Sequence, residues 1–314
     1  MKTPLCSLII RAYNEEKHIG RLLQGIQEQV VKDIQIILVD SGSTDRTREI
    51  AREHTVEIVE IAPQEFTFGR SLNLGFKEAK APIVVIASAH VYPVYPDWLE
   101  RLLEPFGNQR VGLVYGKQRG AASTHFSEHQ IFHHWYPERS VNWQSHPFCN
   151  NANAAIRREL WEQHPYDETL PGLEDLEWGK WAQEQGYGIA YSAEAEVIHV
   201  HNESLAGIYN RYKREAMAFK RLYPHETFHL QDMFRLFLQN VFSDWREARQ
   251  QGKFTANWIK IAGFRWRQFH GTYQGYRQSG PLTWQLKKAF YYPRDPAATP
   301  KQSEKRDIQP IQYN

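Results

Sequence analysis

The chain has 314 residues, of which 41% are hydrophobic and 24% charged, and this ordinary globular composition allows one large domain or two modest ones. A net charge of +2 is too small to indicate a nucleic-acid-binding protein. The two cysteines do not make a disulfide framework, and neither a signal peptide nor an 18-residue apolar stretch is found. We therefore expect a cytoplasmic protein, with contact to the inner face of the membrane left open.

The first 90 residues alternate predicted strands and helices. Nearly continuous apolar runs predict buried strands at 5–11, 34–39, 56–61 and 83–87. Apolar residues at helical spacing predict the helices between them. This alternation is typical of an α/β fold with a Rossmann-like, mostly parallel sheet flanked by helices. Ligands of such sheets bind at the carboxyl ends of the strands, so Arg11, Asp40 and residues 88–90 should converge on one crevice.

Beyond residue 96 the alternation weakens. Residues 120–150 predict a long functional loop with one helix near 126–136, and short strands are expected at 188–191 and 196–200.

The chain is helical, basic and rich in aromatic residues from residue 204 onward. We divide the chain into a catalytic domain at 1–225, a helical extension at 226–292 and a disordered tail at 293–314. Aromatic stripes on helices usually pack in a core, but a basic, aromatic helix can also lie on a membrane surface. Contact with a membrane or with a second copy of the chain is therefore an open alternative.

A cluster of acids follows the break at Pro171–Gly172. Glu174, Asp175 and Glu177 fall at the start of a predicted helix, where the helix dipole favours negative charge. Sugar transfer from a nucleotide needs a base that deprotonates the acceptor hydroxyl. Asp175 is the candidate base and Glu174 the neighbouring alternative, although acids are also common in a first helical turn without any catalytic role.

Asp40 ends the second predicted strand. Its carboxylate can accept a hydrogen bond from the imide N–H of a pyrimidine or from ribose hydroxyls. The small residues Ser41 to Ser43 would let backbone amides approach a nucleotide. The alternative is that Asp40 only caps Ser43 or the next helix.

Three histidines are candidate metal ligands. His90 ends the stretch Ser88–Ala89–His90, where a metal–diphosphate site is expected in such a sheet. His199 and His201 are two residues apart on a predicted strand and therefore share one face. Histidine binds divalent cations such as Mn²⁺, and the alternative for each is a buried histidine with satisfied hydrogen bonds.

Three stretches together resemble the family 2 glycosyltransferases of the GT-A fold: residues 7–16, residues 37–45, and residues 153–158 with 172–175. The resemblance implies inverting transfer from a nucleotide-sugar donor to a glycan or lipid-linked acceptor, usually with Mg²⁺ or Mn²⁺. It implies that Asp40 holds the base of the donor and that Asp175 is the catalytic base. The residues that we assign to the nucleotide-sugar site are Ala12, Tyr13, Glu16, Asp40, Ser41, Asn73, Ser88, Ala89 and Asn153.

The chain departs from the family at Ser88–Ala89–His90, where the family usually has Asp-x-Asp. The variant resembles that of bacterial rhamnosyltransferase-like members that build surface polysaccharides. Both acids of the motif are absent, so a bound cation would have to be held by the histidines.

Two other functions remain open at this point. An inactive nucleotide-sugar-binding protein would have no need of Asp175. A nucleotidyltransferase would need a glycine-rich loop after the first strand, and residues 11–16 contain no glycine.

Overall fold

The computed structural model describes residues 3–201, 203–277 and 308–313. In these residues one sheet has the strand order β3-β2-β1-β4-β7-β6-β8-β5. The strands are β1 (Cys6–Ala12), β2 (Ile34–Asp40), β3 (Glu57–Glu60), β4 (Ile83–Ser88), β5 (Val91–Pro93), β6 (Val111–Gly120), β7 (Asn153–Arg157) and β8 (Gly188–His199). The α-helices are α1 (Ile19–Gln27), α2 (Thr47–Arg52), α3 (Phe68–Glu78), α4 (Trp98–Leu103), α5 (Phe126–Trp135), α6 (Arg158–Gln163), α7 (Glu174–Glu184), α8 (Leu205–Leu222), α9 (Leu230–Gln250) and α10 (Phe254–Arg277).

Strands β1 to β4 form the parallel half of the sheet, as predicted. Their apolar residues are buried in two clusters, one on each face, because helices cover both sides. Ala12 pairs with Asp40, and Arg11 pairs with Ser88, so the carboxyl ends of β1, β2 and β4 lie side by side. The expected convergence of these three strand ends is therefore present in the fold.

Strand β7 was not predicted, and it changes the direction of the sheet. It lies antiparallel between β4 and β6, with Asn153 opposite Ala87 and Ile156 opposite Leu113. Its sequence, Asn-Ala-Ala-Ile-Arg, has no apolar alternation because both of its faces are covered. Similarly, the two short strands expected between 188 and 200 form the single strand β8.

Helices α8, α9 and α10 pack together as one helical region. Phe219, Leu236 and Phe269, one from each helix, are buried in a shared cluster. Leu176 of α7 belongs to the same cluster and joins these helices to the acidic turn. Among the described residues, no helix is long and apolar enough to cross a membrane.

Part of the expected disordered tail is packed on the fold. Ile311 N donates to Val94 O at 2.9 Å, and the ring of Tyr313 lies edge-on to Tyr92 with centroids 5.2 Å apart. The prediction of disorder from 293 to 314 therefore does not hold for 308–313. The end of the predicted helical extension, at 278–292, and the start of the predicted tail, at 293–307, lie outside the described residues.

Candidate active site

The loops that follow β1 and β2 hold each other in place. Asn14 has a left-handed backbone (φ 56°), which asparagine tolerates better than most residues, and its N–H donates to Ser43 Oγ at 2.9 Å. Glu16 N donates to Asp45 Oδ2 at 3.0 Å, while the Glu16 carboxylate accepts from a backbone N–H. Tyr13 is 56% exposed and lies on the rim between these loops.

Asp40 uses its two carboxylate oxygens differently. Oδ2 accepts from Gly42 N at 3.1 Å and from Ser43 N at 3.0 Å, so this oxygen caps the turn. Oδ1 is buried without a hydrogen-bond partner, and so is the hydroxyl of the next residue, Ser41. A buried hydrogen-bond acceptor without a partner costs free energy. A bound nucleotide-sugar donor would supply the missing hydrogen bond. Oδ2 therefore fits the interpretation that Asp40 caps its turn, and Oδ1 fits the interpretation that Asp40 binds a nucleotide.

Asn73 and Asn153 have structural roles in this fold. The Asn73 amide donates to Tyr166 O and Glu168 Oε1 and accepts from Trp161 and Tyr166. Its hydrogen-bonding capacity is thereby filled, and it pins the segment after α6 onto α3.

The Asn153 side chain is fully buried and makes three hydrogen bonds. It accepts from Trp98 Nε1 at 2.9 Å and donates to Lys117 O and Ala195 O. These bonds tie β7 to α4, β6 and β8. Ala89 is also buried, and its N–H donates to Arg11 O at 3.2 Å, while Ser88 ends β4 without supplying a charge.

The acidic turn places Glu174 and Asp175 in different surroundings. Leu173, the residue before α7, has a left-handed backbone (φ 58°), which is uncommon for a branched side chain and typical of functional sites. Glu174 is buried and pairs with Arg11 at 3.1 Å. Asp175 accepts from Asn151 N at 3.2 Å and from a backbone N–H of its own helix. Glu174 is thus engaged in an ion pair with Arg11, whereas no ion pair is found for Asp175 among the described residues.

The surroundings of Asp175 favour its protonated form. Burial, followed by the nearby charge of Glu174, raises the pKa of Asp175 to about 7. Hydrogen bonds from Asn151 and Leu176 and the charge of Arg11 oppose this shift. A general base works best when its pKa lies near the operating pH, so this carboxylate is suited to proton transfer at neutral pH.

Asp175 lies in the wall of a cavity of about 150 Å³ between the sheet and helices α8 and α10. His199 and His201 line the same cavity. The aromatic side chains in its wall are Phe132, Trp135, Tyr136, Phe148, Tyr212, Phe219 and Tyr276. The helical region therefore builds part of the space next to the candidate base.

The three predicted histidines come together at the carboxyl end of the sheet. One ligand atom from each of His90, His199 and His201 lies within 4.8 Å of the others. Nε2 of His199 and Nε2 of His201 are 2.9 Å apart. Burial, followed by the neighbouring His201, lowers the pKa of His199 well below its usual value, which keeps the ring neutral and able to bind a cation.

Each of these histidines is held through its Nδ1 atom. The partner of His90 is Glu15 Oε1 at 2.7 Å, that of His199 is Gln118 Oε1 at 2.6 Å, and that of His201 is Glu128 Oε1 at 2.7 Å. These oxygens accept, so each Nδ1 carries the proton and each Nε2 presents a lone pair. Facing lone pairs repel unless a proton or a cation lies between them. The set therefore fits a divalent cation, with partners that orient the ligands as in known metal sites.

Sequence reasoning missed the partners of these histidines. Glu128 on α5 is buried and also pairs with Arg211 of α8 at 2.6 Å. Burial alone would raise its pKa, but Arg211 and His201 hold the pKa of Glu128 at about 2. The available signal was the histidine-rich stretch at 120–150, which was predicted to be functional without a role for any single residue.

The fold and this crevice define a glycosyltransferase of the GT-A fold. The Glycosyl transferase family 2 model matches residues 7–164, about half of the chain. The chain therefore belongs to glycosyl transferase family 2. This membership confirms the enzyme class expected from the sequence.

Relatives and solved structures agree with this assignment. The O-antigen chain rhamnosyltransferase WbaN of Salmonella anatum is 28% identical over 228 residues, which cover 67% of this chain and 70% of the relative. The mannosyltransferase PcManGT from Pyrobaculum calidifontis, solved in complex with GDP-Man and Mn²⁺, has a TM-score of 0.58 at 20% identity and covers 88% of this chain and 85% of its own. Glucosyl-3-phosphoglycerate synthase from Mycobacterium tuberculosis, solved with Mn²⁺ and UDP, has a TM-score of 0.51 at 21% identity. The match covers 69% of this chain and 79% of the synthase chain.

Proposed function

We propose that this enzyme transfers a sugar from a nucleotide-sugar donor to an acceptor hydroxyl with inversion at the anomeric carbon. The observation that carries the proposal is the position of Asp175, a carboxylate in the first turn of α7 and in the wall of the cavity that His199 and His201 also line. In the reaction, the acceptor oxygen bonds to the anomeric carbon and its proton passes to Asp175. The bond from that carbon to the diphosphate oxygen breaks, and the nucleoside diphosphate leaves with the electron pair.

The donor nucleotide is proposed to bind at the loops after β1 and β2. Asp40 Oδ1 and Ser41 Oγ are buried without partners and can accept from the base or the ribose. Ala12 pairs in register with Asp40, and Tyr13 and Glu16 lie in the loop that follows Ala12. Ser88 and Ala89 end the adjacent strand and would lie against the diphosphate.

His90, His199 and His201 are proposed to hold a divalent cation. Imidazole ligands favour Mn²⁺ over Mg²⁺. Such a cation would neutralise the negative charge that develops on the leaving diphosphate. Glu15 and Glu128 hold the rings through Nδ1 and so keep Nε2 directed at the site.

The acceptor is proposed to be a glycan or a lipid-linked glycan of a surface polysaccharide. The rhamnosyltransferase relative is named for O-antigen chains. The aromatic wall of the cavity beside Asp175 offers flat apolar surfaces for a sugar ring.

The protein is also proposed to act in the cytoplasm and to touch the membrane through α9 and the start of α10. Phe242 is 60% exposed and Ile259 is 64% exposed, and Leu238 and Trp258 are exposed beside them. The basic side chains of Arg246 and Lys260 are exposed in the same segments. Apolar and basic groups together fit an anionic lipid surface. A second copy of the chain is the competing partner for this face.

Thermal shift with a panel of nucleotide sugars, with and without Mn²⁺, tests the donor class. A donor that binds the folded state raises the melting temperature by mass action. The best donor is then incubated with candidate glycan acceptors, and the released nucleoside diphosphate and the anomeric configuration of the product are measured. Retention of configuration would overturn the inverting mechanism.

A further inference from the structure

Two arginines from distant parts of the chain share one aromatic ring at the edge of the crevice. The guanidinium carbon of Arg11 lies 5.1 Å from the centroid of Phe68, and that of Arg214 lies 4.7 Å from the same centroid. Arg11 belongs to β1, Phe68 begins α3, and Arg214 belongs to α8. Two positive charges are thus concentrated on one ring, and each is stabilised by a cation–π contact.

The two guanidinium groups differ in their other contacts. Arg11 pairs with Glu174 at 3.1 Å. The Nε atom of Arg214 is buried and has no hydrogen-bond partner among the described residues. A buried charged donor without a partner costs free energy that an anion would recover.

Other arginines near the crevice are compensated by carboxylates. Arg70, in the first turn of α3, pairs with Glu65 at 3.7 Å and with Glu168 at 3.3 Å. Arg211, one turn before Arg214 on α8, pairs with Glu128 at 2.6 Å. Arg70 Nε is also buried without a hydrogen-bond partner, but the Arg70 guanidinium is paired with carboxylates through its other nitrogens. For Arg214 no such carboxylate pair is found among the described residues, so its charge is the one better placed to bind an anion.

The position of Arg214 relates it to the donor diphosphate. Arg11 pairs in register with Ser88, which ends β4 beside His90. On the other side, a Cβ atom added at Gly172 would lie 3.6 Å from Arg214 Nε, so this guanidinium borders the turn that carries Asp175. Arg11 and Arg214 therefore border the space between the strand end and the candidate base.

We propose that Arg214, together with Arg11, binds the diphosphate of the nucleotide-sugar donor. The inference rests on the proposed function. Guanidinium groups present several donors in a planar fork that matches phosphate oxygens. The charge on the diphosphate oxygen grows as its bond to the anomeric carbon breaks, so fixed cations here stabilise the transition state more than the bound donor.

Helix α8 lies beyond residues 7–164, the part of the chain that the family model matches. The helical region would thus complete the donor site of the catalytic domain. Ser88 and Ala89 supply no charge of their own, so the leaving group would depend on the histidine-held cation and on this arginine pair.

Titration calorimetry with nucleosides and their diphosphates tests the proposal. The probes are uridine, guanosine and thymidine with UDP, GDP and dTDP, each measured on the wild type, Arg214→Gln and Arg214→Lys. We expect Arg214→Gln to weaken binding of the preferred diphosphate by about tenfold or more, because a charged hydrogen bond is lost. Affinity for the matching nucleoside should not change, and Arg214→Lys should recover part of the loss.

Arg52→Gln is the matched control, because Arg52 is an exposed arginine at the end of α2 and belongs to none of the proposed binding sites. Equal affinity of wild type and Arg214→Gln for the diphosphate would overturn the inference. An equal loss for nucleoside and diphosphate would also overturn it, since it would show a purely structural role. A wild type that binds none of the diphosphates would overturn the proposed function itself.

Discussion

The two sides of the crevice are held together in different ways. The nucleotide side consists of the loops after β1 and β2, where the hydrogen bond from Asn14 N to Ser43 Oγ joins residues 29 positions apart in the chain. The catalytic side consists of the turn that carries Glu174 and Asp175, where the ion pair of Arg11 with Glu174 joins residues 163 positions apart. The nucleotide side is therefore a local unit of two neighbouring loops, whereas the catalytic side exists only when distant segments pack. Donor binding and chemistry should accordingly be separable by substitution.

Asp175→Asn should separate the two sides most strongly. We expect turnover to fall by about 10²–10⁴-fold, because an amide cannot act as the general base. Nucleotide affinity should stay nearly constant, since the loops after β1 and β2 are untouched. Turnover and binding are measured on the same preparation, and Glu177→Gln, on the same helix, is the control. Normal turnover of Asp175→Asn would refute the assignment.

The pH dependence of the wild type sharpens the same comparison. The pKa of Asp175 is raised to about 7, so turnover should climb through this pH as the carboxylate ionises. In terms of stability, a carboxyl group with a raised folded-state pKa destabilises the fold as pH rises through that value. Asp175→Asn should therefore melt no lower than the wild type at pH 8. A flat rate profile between pH 6 and pH 8 would contradict this role.

Asp40→Ala should act on the opposite side. Loss of a charged hydrogen bond to the base or ribose should weaken nucleotide binding by roughly 1.5–3 kcal/mol. Turnover at saturating donor should change much less. Asp40 also caps its own turn, so the melting temperature is measured in parallel, and Asp40→Asn keeps one acceptor as a milder variant. Unchanged affinity for every nucleotide would reject the contact.

Glu15→Gln tests a contact between the two sides. Glu15 lies in the loop after β1, and its carboxylate accepts a hydrogen bond from His90 Nδ1. We expect Mn²⁺ affinity to fall by about 10–100-fold, the usual effect of losing a partner of a metal ligand. Glu49→Gln, an exposed carboxylate on α2, is the control. Mn²⁺ binding is followed by titration calorimetry. Activity that survives a chelator would show that no metal is needed.

The smallest effect is expected at the exposed face of the helical region. Phe242→Ser with Ile259→Ser should lower cosedimentation with vesicles of phosphatidylglycerol and phosphatidylcholine by a few fold, since apolar burial drives such binding. Val30→Ser, at an exposed apolar site on the catalytic domain, is the control. If the wild type does not sediment with these vesicles, the membrane contact is wrong, and light scattering then tests self-association.

The parallel half of the fold was predictable because its strands are continuous apolar runs. Strand β2 begins at Ile34, as predicted, and ends at Asp40, the residue expected at its carboxyl end. Strand β5 escaped prediction because it has three residues and includes Pro93, which suits only a sheet edge.

Candidate site residues could be located from the sequence where they directly follow a predicted strand. Residues that reach the site only through packing between distant segments could not. Asp40 and His90 could be placed at the carboxyl edge of the sheet because each follows an apolar run. Gln118 and Glu128 could not, since each meets its histidine only after the chain folds. Asn73 was assigned to the nucleotide-sugar site from the family resemblance, and the four hydrogen bonds of its side chain form only when distant segments pack on α3.

The packed segment at 308–313 has a practical consequence. Strand β5 is the last strand of the sheet, and such a strand offers backbone groups to other chains. Tyr313 and Ile311 cover this end through Tyr92 and Val94. A chain cut before residue 308 would uncover this edge and become prone to aggregate at high concentration. Purification tags are therefore better attached at the amino terminus, where they do not displace residues 308–313 from this edge.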